Sequence, residues 1–204
     1  MSDLTLEQSL KEYGKFVDVI NKYLSPTRAE QVKSFFGKRE ITLSSSPYNL
    51  VLGAPGAYAG GYITTVNKII HCAVVLERVW ENFSTEKYHT TEELVFSAIF
   101  SEVAKIGTND QPYYLPNKNE WEIKNRGIIY AHNPYHYNMK YSDKALFILQ
   151  QEKIDVSENE YLAIKLYNAM CDEENNHYFH WDTKMKSNIA LILNQARTVI
   201  VNSK

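Results

Sequence analysis

The sequence predicts an all-α fold built as one domain, and three observations carry that expectation. Apolar residues recur at intervals of three and four along most of the chain, the pattern of helices with one buried face. The 204 residues are 44% apolar and 23% charged, the balance of a globular domain with a continuous core. Strand signals are confined to the surroundings of "GIIYAH", so any sheet is a small insertion. Residues 1–204 read as a single unit, with an N-terminal helical extension over 1–40 and a core over 54–202.

The elements follow in order. "LTLEQSLKEYGKFVDVINKYL" places Leu6, Leu10, Tyr13, Val17, Ile20 and Leu24 on one stripe, giving a first helix. Pro26 suits the first position of a helix and opens a second one through "TRAEQVKSFF". Residues 38–60, with "SSSPYNLVLGAPGAYAGG", read as a long loop. A long helix then runs from about Tyr62 to Phe83, with Val66, Ile69, Ile70, Ala73, Val74 and Val79 on its apolar side. The next covers Thr91 to about Ile106, where "TTEE" pairs a threonine with Glu93 as a capping box. Residues 107–141, rich in Asn, Pro, Tyr and His, hold a short β-hairpin or irregular insertion. Helices over Ser142–Gln151, Ser157–Met170 and Met185–Val201 complete the chain, with no repeat, low-complexity tract or linker.

Composition narrows the function classes. A net charge of −2 supplies no basic field for a nucleic-acid polymer. No apolar run approaches the roughly 18 residues that span a bilayer, and the polar N-terminus lacks a signal-peptide pattern. A cytoplasmic protein with no membrane partner is expected. Cys72 and Cys171 lie in apolar helical runs without metal-type spacing, which reads as buried, reduced thiols. The 15 tyrosines serve a core and rim, and they also suit a binding surface because each joins a flat apolar face to a polar tip.

The order of phrases along residues 54–197 resembles the HD-domain phosphohydrolase superfamily, in the version common among phage and bacterial proteins. "APGAYAGGYITTVNKII" matches a Gly-Gly-Tyr turn leading into the helix of the first metal-binding His. "AIFSEVAKIG" matches the helix of the His-Asp pair and keeps its closing Lys105, Ile106 and Gly107. "KALFILQ", "YLAIKL" and "LILNQA" match the three later helices. The resemblance implies an HD-domain-like helical bundle and, for the ligand positions, an empty inheritance. Thr65 falls at the first His, Ser101 and Glu102 at the His-Asp pair, and Ser142 at the next His. Tyr167 and Asn168 fall at a second His-Asp pair, and Asn194 and Arg197 at the final His and Asp. An HD centre needs imidazoles and carboxylates converging on one dication that activates water. Thr, Ser and Asn are weak ligands, and Arg197 carries a permanent positive charge. Glu102 alone is ligand-like, and one carboxylate does not hold a metal.

Other groupings are weaker. His132 and His136 have i, i+4 spacing, but Pro134 breaks the helix that would make them a chelate. "CDEENNHYFHWD" gathers Asp172, Glu173, Glu174, His177, His180 and Asp182 in what reads as a solvated loop. His71 follows Thr65 by six residues on another face and reads as a partly buried structural histidine. No phosphate loop or nucleophile elbow is present.

The expectation is therefore a catalytically inactive, HD-like binding protein that uses no metal and no cofactor. The resemblance further implies a phage product acting in the host cytoplasm. Arg197 and Lys105 replace metal charge and suit a phosphate, while Tyr113, Tyr114, Trp121, Tyr130, Tyr135 and Tyr137 suit stacking of a base. The partner is a nucleotide or cyclic nucleotide signal, or else a host or phage protein. A simpler alternative pairs Arg197 with Glu102 across a filled-in site. Two others remain: an active phosphohydrolase using Glu102, His71, Asp172 or the loop histidines, and an oligomeric assembly subunit.

Overall fold

Helix α5 (Thr91–Ser101) is the axis of the fold because its sequence is apolar all round. Every residue from Leu94 to Ser101 is buried, which a helix reaches only with neighbours on all sides. Those neighbours are α1 (Leu6–Tyr23), α4 (Gly61–Phe83), α7 (Tyr141–Gln151), α8 (Glu158–Leu166) and α9 (Ile189–Asn202). The computed structural model describes residues 4–83, 86–108, 111–168, 178 and 187–203. Among the described residues the architecture is all-α with one two-stranded antiparallel sheet, and no helix is long and apolar enough to cross a membrane.

The N-terminal helices share the core of the rest. Phe16 of α1 meets Phe36 of α2 (Pro26–Gly37) edge-on at 4.9 Å, and Phe36 lies 5.6 Å from Phe100 of α5. Arg28 of α2 stacks over the Phe96 ring at 3.8 Å and pairs with Glu160 of α8 at 2.5 Å. Glu160 also closes the capping box of Ser157, so one buried carboxylate both starts α8 and ties it to α2. The expected box at the start of α5 forms between Thr90 and Glu93.

Within 107–141, β1 (Tyr114–Pro116) pairs with β2 (Tyr130–His132), Tyr114 opposite His132, and α6 (Glu120–Arg126) fills the connection. This insertion docks on the segment after α3, through Ile129 N–H to Leu50 O at 2.9 Å and Leu52 N–H to Gly127 O at 2.7 Å.

Several expectations need correction. The predicted loop 38–60 contains α3 (Glu40–Ser45), which forms because Leu43 inserts fully into the core. The helix from Thr91 stops at Ser101, and Val103–Ile106 wind as a tighter 3₁₀ turn. In α1 the buried face is centred on Phe16 and Ile20, while Leu10 is exposed and Val17 half-buried. Val79 and His71 of α4 face solvent, and Cys72 is only half-buried. The helix from Ser157 ends at Leu166, and the helix expected from Met185 begins at Ile189. Cys171 and the acidic and histidine residues of "CDEENNHYFHWD" lie outside the described residues.

Candidate functional site

Glu102 is the C-cap that follows α5 and is 1% exposed. The 3₁₀ turn that follows nearly eclipses residues three apart, so Lys105 falls back over Glu102. Its Nζ lies 3.0 Å from Glu102 Oε2, paired charge to charge without hydrogen-bond alignment. From α9, Arg197 donates through Nε to Oε1 at 3.1 Å. From the segment after α3, the Tyr48 hydroxyl donates to the same Oε1 at 2.6 Å. Tyr48 is held there by its own N–H on Gly56 O at 2.8 Å, and its ring lies under the Lys105 ammonium at 3.4 Å. Tyr141, the first residue of α7, flanks Lys105 at 5.5 Å, and its hydroxyl shares a 2.7 Å hydrogen bond with that of Tyr114.

The electrostatics follow from burial. Desolvation alone would raise the Glu102 carboxyl, but Lys105 and Arg197 hold it below the ordinary carboxylate value. Burial pulls the Lys105 amine down despite Glu102, and the Arg197 charge adds to that. The phenols of Tyr48, Tyr62 and Tyr167 are pushed well up, first by burial and then by Glu102. Among the described residues one carboxylate thus faces two cations, an excess of one positive charge. Arg197 uses only Nε for Glu102; its two Nη groups have no partner among the described residues, and 26% of the side chain stays exposed.

Of the other positions where the resemblance implies ligands, Thr65, Ser101 and Asn194 turn their polar atoms elsewhere, whereas the Tyr167 phenol faces the charges of Glu102 and Arg197. Thr65 Oγ1 donates to Gly61 O at 2.7 Å, and Ser101 Oγ to Ala98 O at 3.2 Å. Asn194 Nδ2 donates to Tyr167 O at 2.9 Å, and Ser142 is buried in the first turn of α7. Tyr167 is 2% exposed, and Asn168 Oδ1 is buried without a partner. Among the described residues no three His, Cys, Asp or Glu side chains gather as a metal site. A dication does not fit these donors: the one carboxylate there among the described residues is committed to two cations and a phenol, and the Arg197 guanidinium beside it would repel a metal ion.

The structure thus brings Glu102, Lys105 and Arg197 together, with Tyr114 reaching them through Tyr141. Tyr113 is buried behind that pair, its ring 5.8 Å from Tyr141. Trp121, Tyr135 and Tyr137 are not gathered into the site; they are 63%, 67% and 89% exposed. Tyr130 is half-buried in β2. His132 and His136 do not chelate on one helix: one ends β2, the other follows a turn, and both pack on Tyr113. Sequence reasoning missed Tyr48 and Tyr141. No local signal marks Tyr48, a loop tyrosine after a proline, whereas Tyr141 is traceable as the residue before a helix landmark.

Compared with protein-family models, curated proteins and solved structures, the chain matches none.

Proposed function

We propose that this chain is a degenerate relative of the HD-domain phosphohydrolases that binds an anionic, nucleotide-type small molecule and does not hydrolyse it. The observation that carries the reading is the excess positive charge at Glu102: two cations share one carboxylate, and Arg197 keeps both Nη groups available. A guanidinium with two free donors is the group best suited to a planar fork on phosphate oxygens. Tyr48, Tyr114 and Tyr141 add rings and hydroxyls around the same point.

Calorimetric titration of the full chain with nucleoside mono-, di- and triphosphates, with and without manganese, tests this reading alongside a hydrolysis assay. Binding without turnover is expected. Arg197→Lys keeps the charge but loses the fork, so affinity falls about tenfold or more, the loss of a charge-assisted bond of about 1.5–3 kcal/mol. A tightly held cation with metal-dependent turnover would overturn the proposal.

A second reading rests on Trp121, Tyr135 and Tyr137, three large aromatic side chains exposed on one insertion. Such residues anchor protein interfaces, so a protein partner is the alternative if no anion binds.

A further inference from the structure

Tyr113, just before β1, is the centre of a second cluster, which shares Tyr114 and Tyr141 with the anion site and adds Lys144, His132 and His136. Its ring is met by those of Tyr114, His132, His136 and Tyr141 at centroid distances of 5.1, 5.3, 5.3 and 5.8 Å. Onto the same ring α7 lays Lys144, whose Nζ is 4.3 Å from the centroid. Lys144 is 6% exposed, and none of the carboxylates among the described residues pairs with it. The adjacent Asp143 is bonded instead to Lys165 of α8. The titratable groups brought around Lys144 are the phenols of Tyr113 and Tyr141, the imidazoles of His132 and His136 and, across Tyr141, the Lys105 ammonium. None is an acid able to stabilise a buried ammonium.

We propose that Lys144 is a nucleophilic amine site that takes a small aldehyde or ketone as an imine. Geometry supports it in three ways. The amine is buried without a counterion among the described residues, so its balance is shifted towards the neutral form. The Tyr113 ring, its centroid 4.3 Å from Nζ, holds the amine in a fixed position. Two imidazoles lie close by, kept neutral by burial and then by the Lys144 charge, and suited to moving protons. His136 Nε2 is engaged with Gln111 O at 3.0 Å, which fixes that ring in place.

The step is balanced without a further reagent. The Nζ lone pair forms a bond to the carbonyl carbon, the carbonyl oxygen collects the two N–H protons and leaves as water, and a C=N bond remains. Burial pushes the amine down to about 8, against about 10.4 for an exposed lysine. The ring contact with Tyr113 favours the ammonium, and burial outweighs it. At pH 7 about one molecule in ten then carries the free amine, compared with fewer than about one in a thousand for an ordinary lysine.

The inference goes beyond the anion-binding reading and stands without it. The test treats the full chain with substoichiometric pyridoxal 5′-phosphate or with uncharged benzaldehyde between pH 6 and 10, traps imines with borohydride, and maps adducts by peptide mass spectrometry. Expected is an adduct on Lys144 with both probes, at least about tenfold ahead of other lysines, with a labelling rate whose midpoint is near pH 8. Lys144→Arg abolishes it while the circular dichroism spectrum is kept; if that variant does not fold, the wild-type map and pH profile decide alone. Adducts scattered without preference, or an unmodified Lys144, would overturn the proposal. So would labelling by the phosphate-bearing probe only, which would assign the preference to anion binding instead of the amine.

Discussion

Glu102→Gln preserves the shape of the buried site and removes its single negative charge. The Tyr48 hydroxyl can still donate to the amide oxygen, so that bond adds little to the cost. Arg197, with 26% of its side chain exposed, can turn its charge to water. Lys105 cannot, because its side chain is 6% exposed and Glu102 is its only ion-pair partner among the described residues. Removing one member of a buried pair typically costs about 3–5 kcal/mol, and the escape open to Arg197 puts this variant near the lower end, at about 3 kcal/mol. A domain has about 5–15 kcal/mol in total. For a chain of this size each kcal/mol moves Tm by about 2–4 °C, so a fall of about 6–12 °C is expected at pH 7.

The acid limb supplies an independent check. The folded carboxyl lies below its ordinary value of about 4.3. Its contribution is therefore complete above that value and is lost as pH falls through the folded one. Wild type and Glu102→Gln should differ most near pH 7 and converge in acid, measured by urea denaturation across pH 3–7. The variant also carries one more uncompensated cation, so added phosphate should stabilise it more than wild type. An unchanged Tm at pH 7, or a gap that persists undiminished to pH 3, would refute the reasoning.

The remaining predictions concern the turn before α4 and the second lysine. A Cβ at Gly61 would lie 2.1 Å from Gly56 O, a backbone atom that cannot swing aside; Gly61→Ala should cost about 3 kcal/mol or more, read as a lower urea midpoint. Lys144→Met should stabilise the protein at pH 7, because folding bears the full cost of the buried ammonium at every pH below about 8. That cost is relieved as pH rises from about 8 towards lysine's ordinary value of about 10.4. The advantage of the variant should therefore shrink by pH 10, and a variant less stable than wild type at pH 7 would defeat the argument.

Much of the fold was legible because helix boundaries are local chemistry. Thr90 with Glu93, and Pro26 at the head of α2, announce their helices wherever they occur. Phase was less legible. In α1, Phe16 and Val17 are adjacent and both apolar, so a stripe drawn through Val17 satisfies the periodicity as well as one drawn through Phe16. Only the partner, Phe36, decides between them. Helix α3 was invisible for a similar reason: "EITLSS" has weak helix propensity and is held by Leu43 inside the core. The stop at Ser101 went unseen because "SEVAKIG" reads as continuing helix. Gly107 is what the tight turn needs, with φ 85° and a Cβ position 2.1 Å from Gln111 O. In the site, Glu102, Lys105 and Arg197 were singled out only through the resemblance, Glu102 and Arg197 as departures from its phrases and Lys105 as a residue it keeps. Tyr48 was not, because what makes it a partner is a backbone bond to Gly56 and the approach of a helix more than fifty residues away.

The charge pattern at Glu102 is the feature of this site that bears most directly on function. In a metal centre several carboxylates and imidazoles converge, and the dication they hold supplies the compensating charge. Here the polarity is reversed: a guanidinium and an ammonium converge on one carboxylate, and tyrosines close around them. A site that had merely filled in would reach neutrality, since one cation suffices for one carboxylate and a buried surplus charge is costly. Lys105 is that surplus, nearly sealed and with its amine pulled down. Its place at the far end of the 3₁₀ turn is explained if an anion completes the balance at the free face of Arg197, and that is the same charge imbalance which Glu102→Gln would enlarge and added phosphate would reveal.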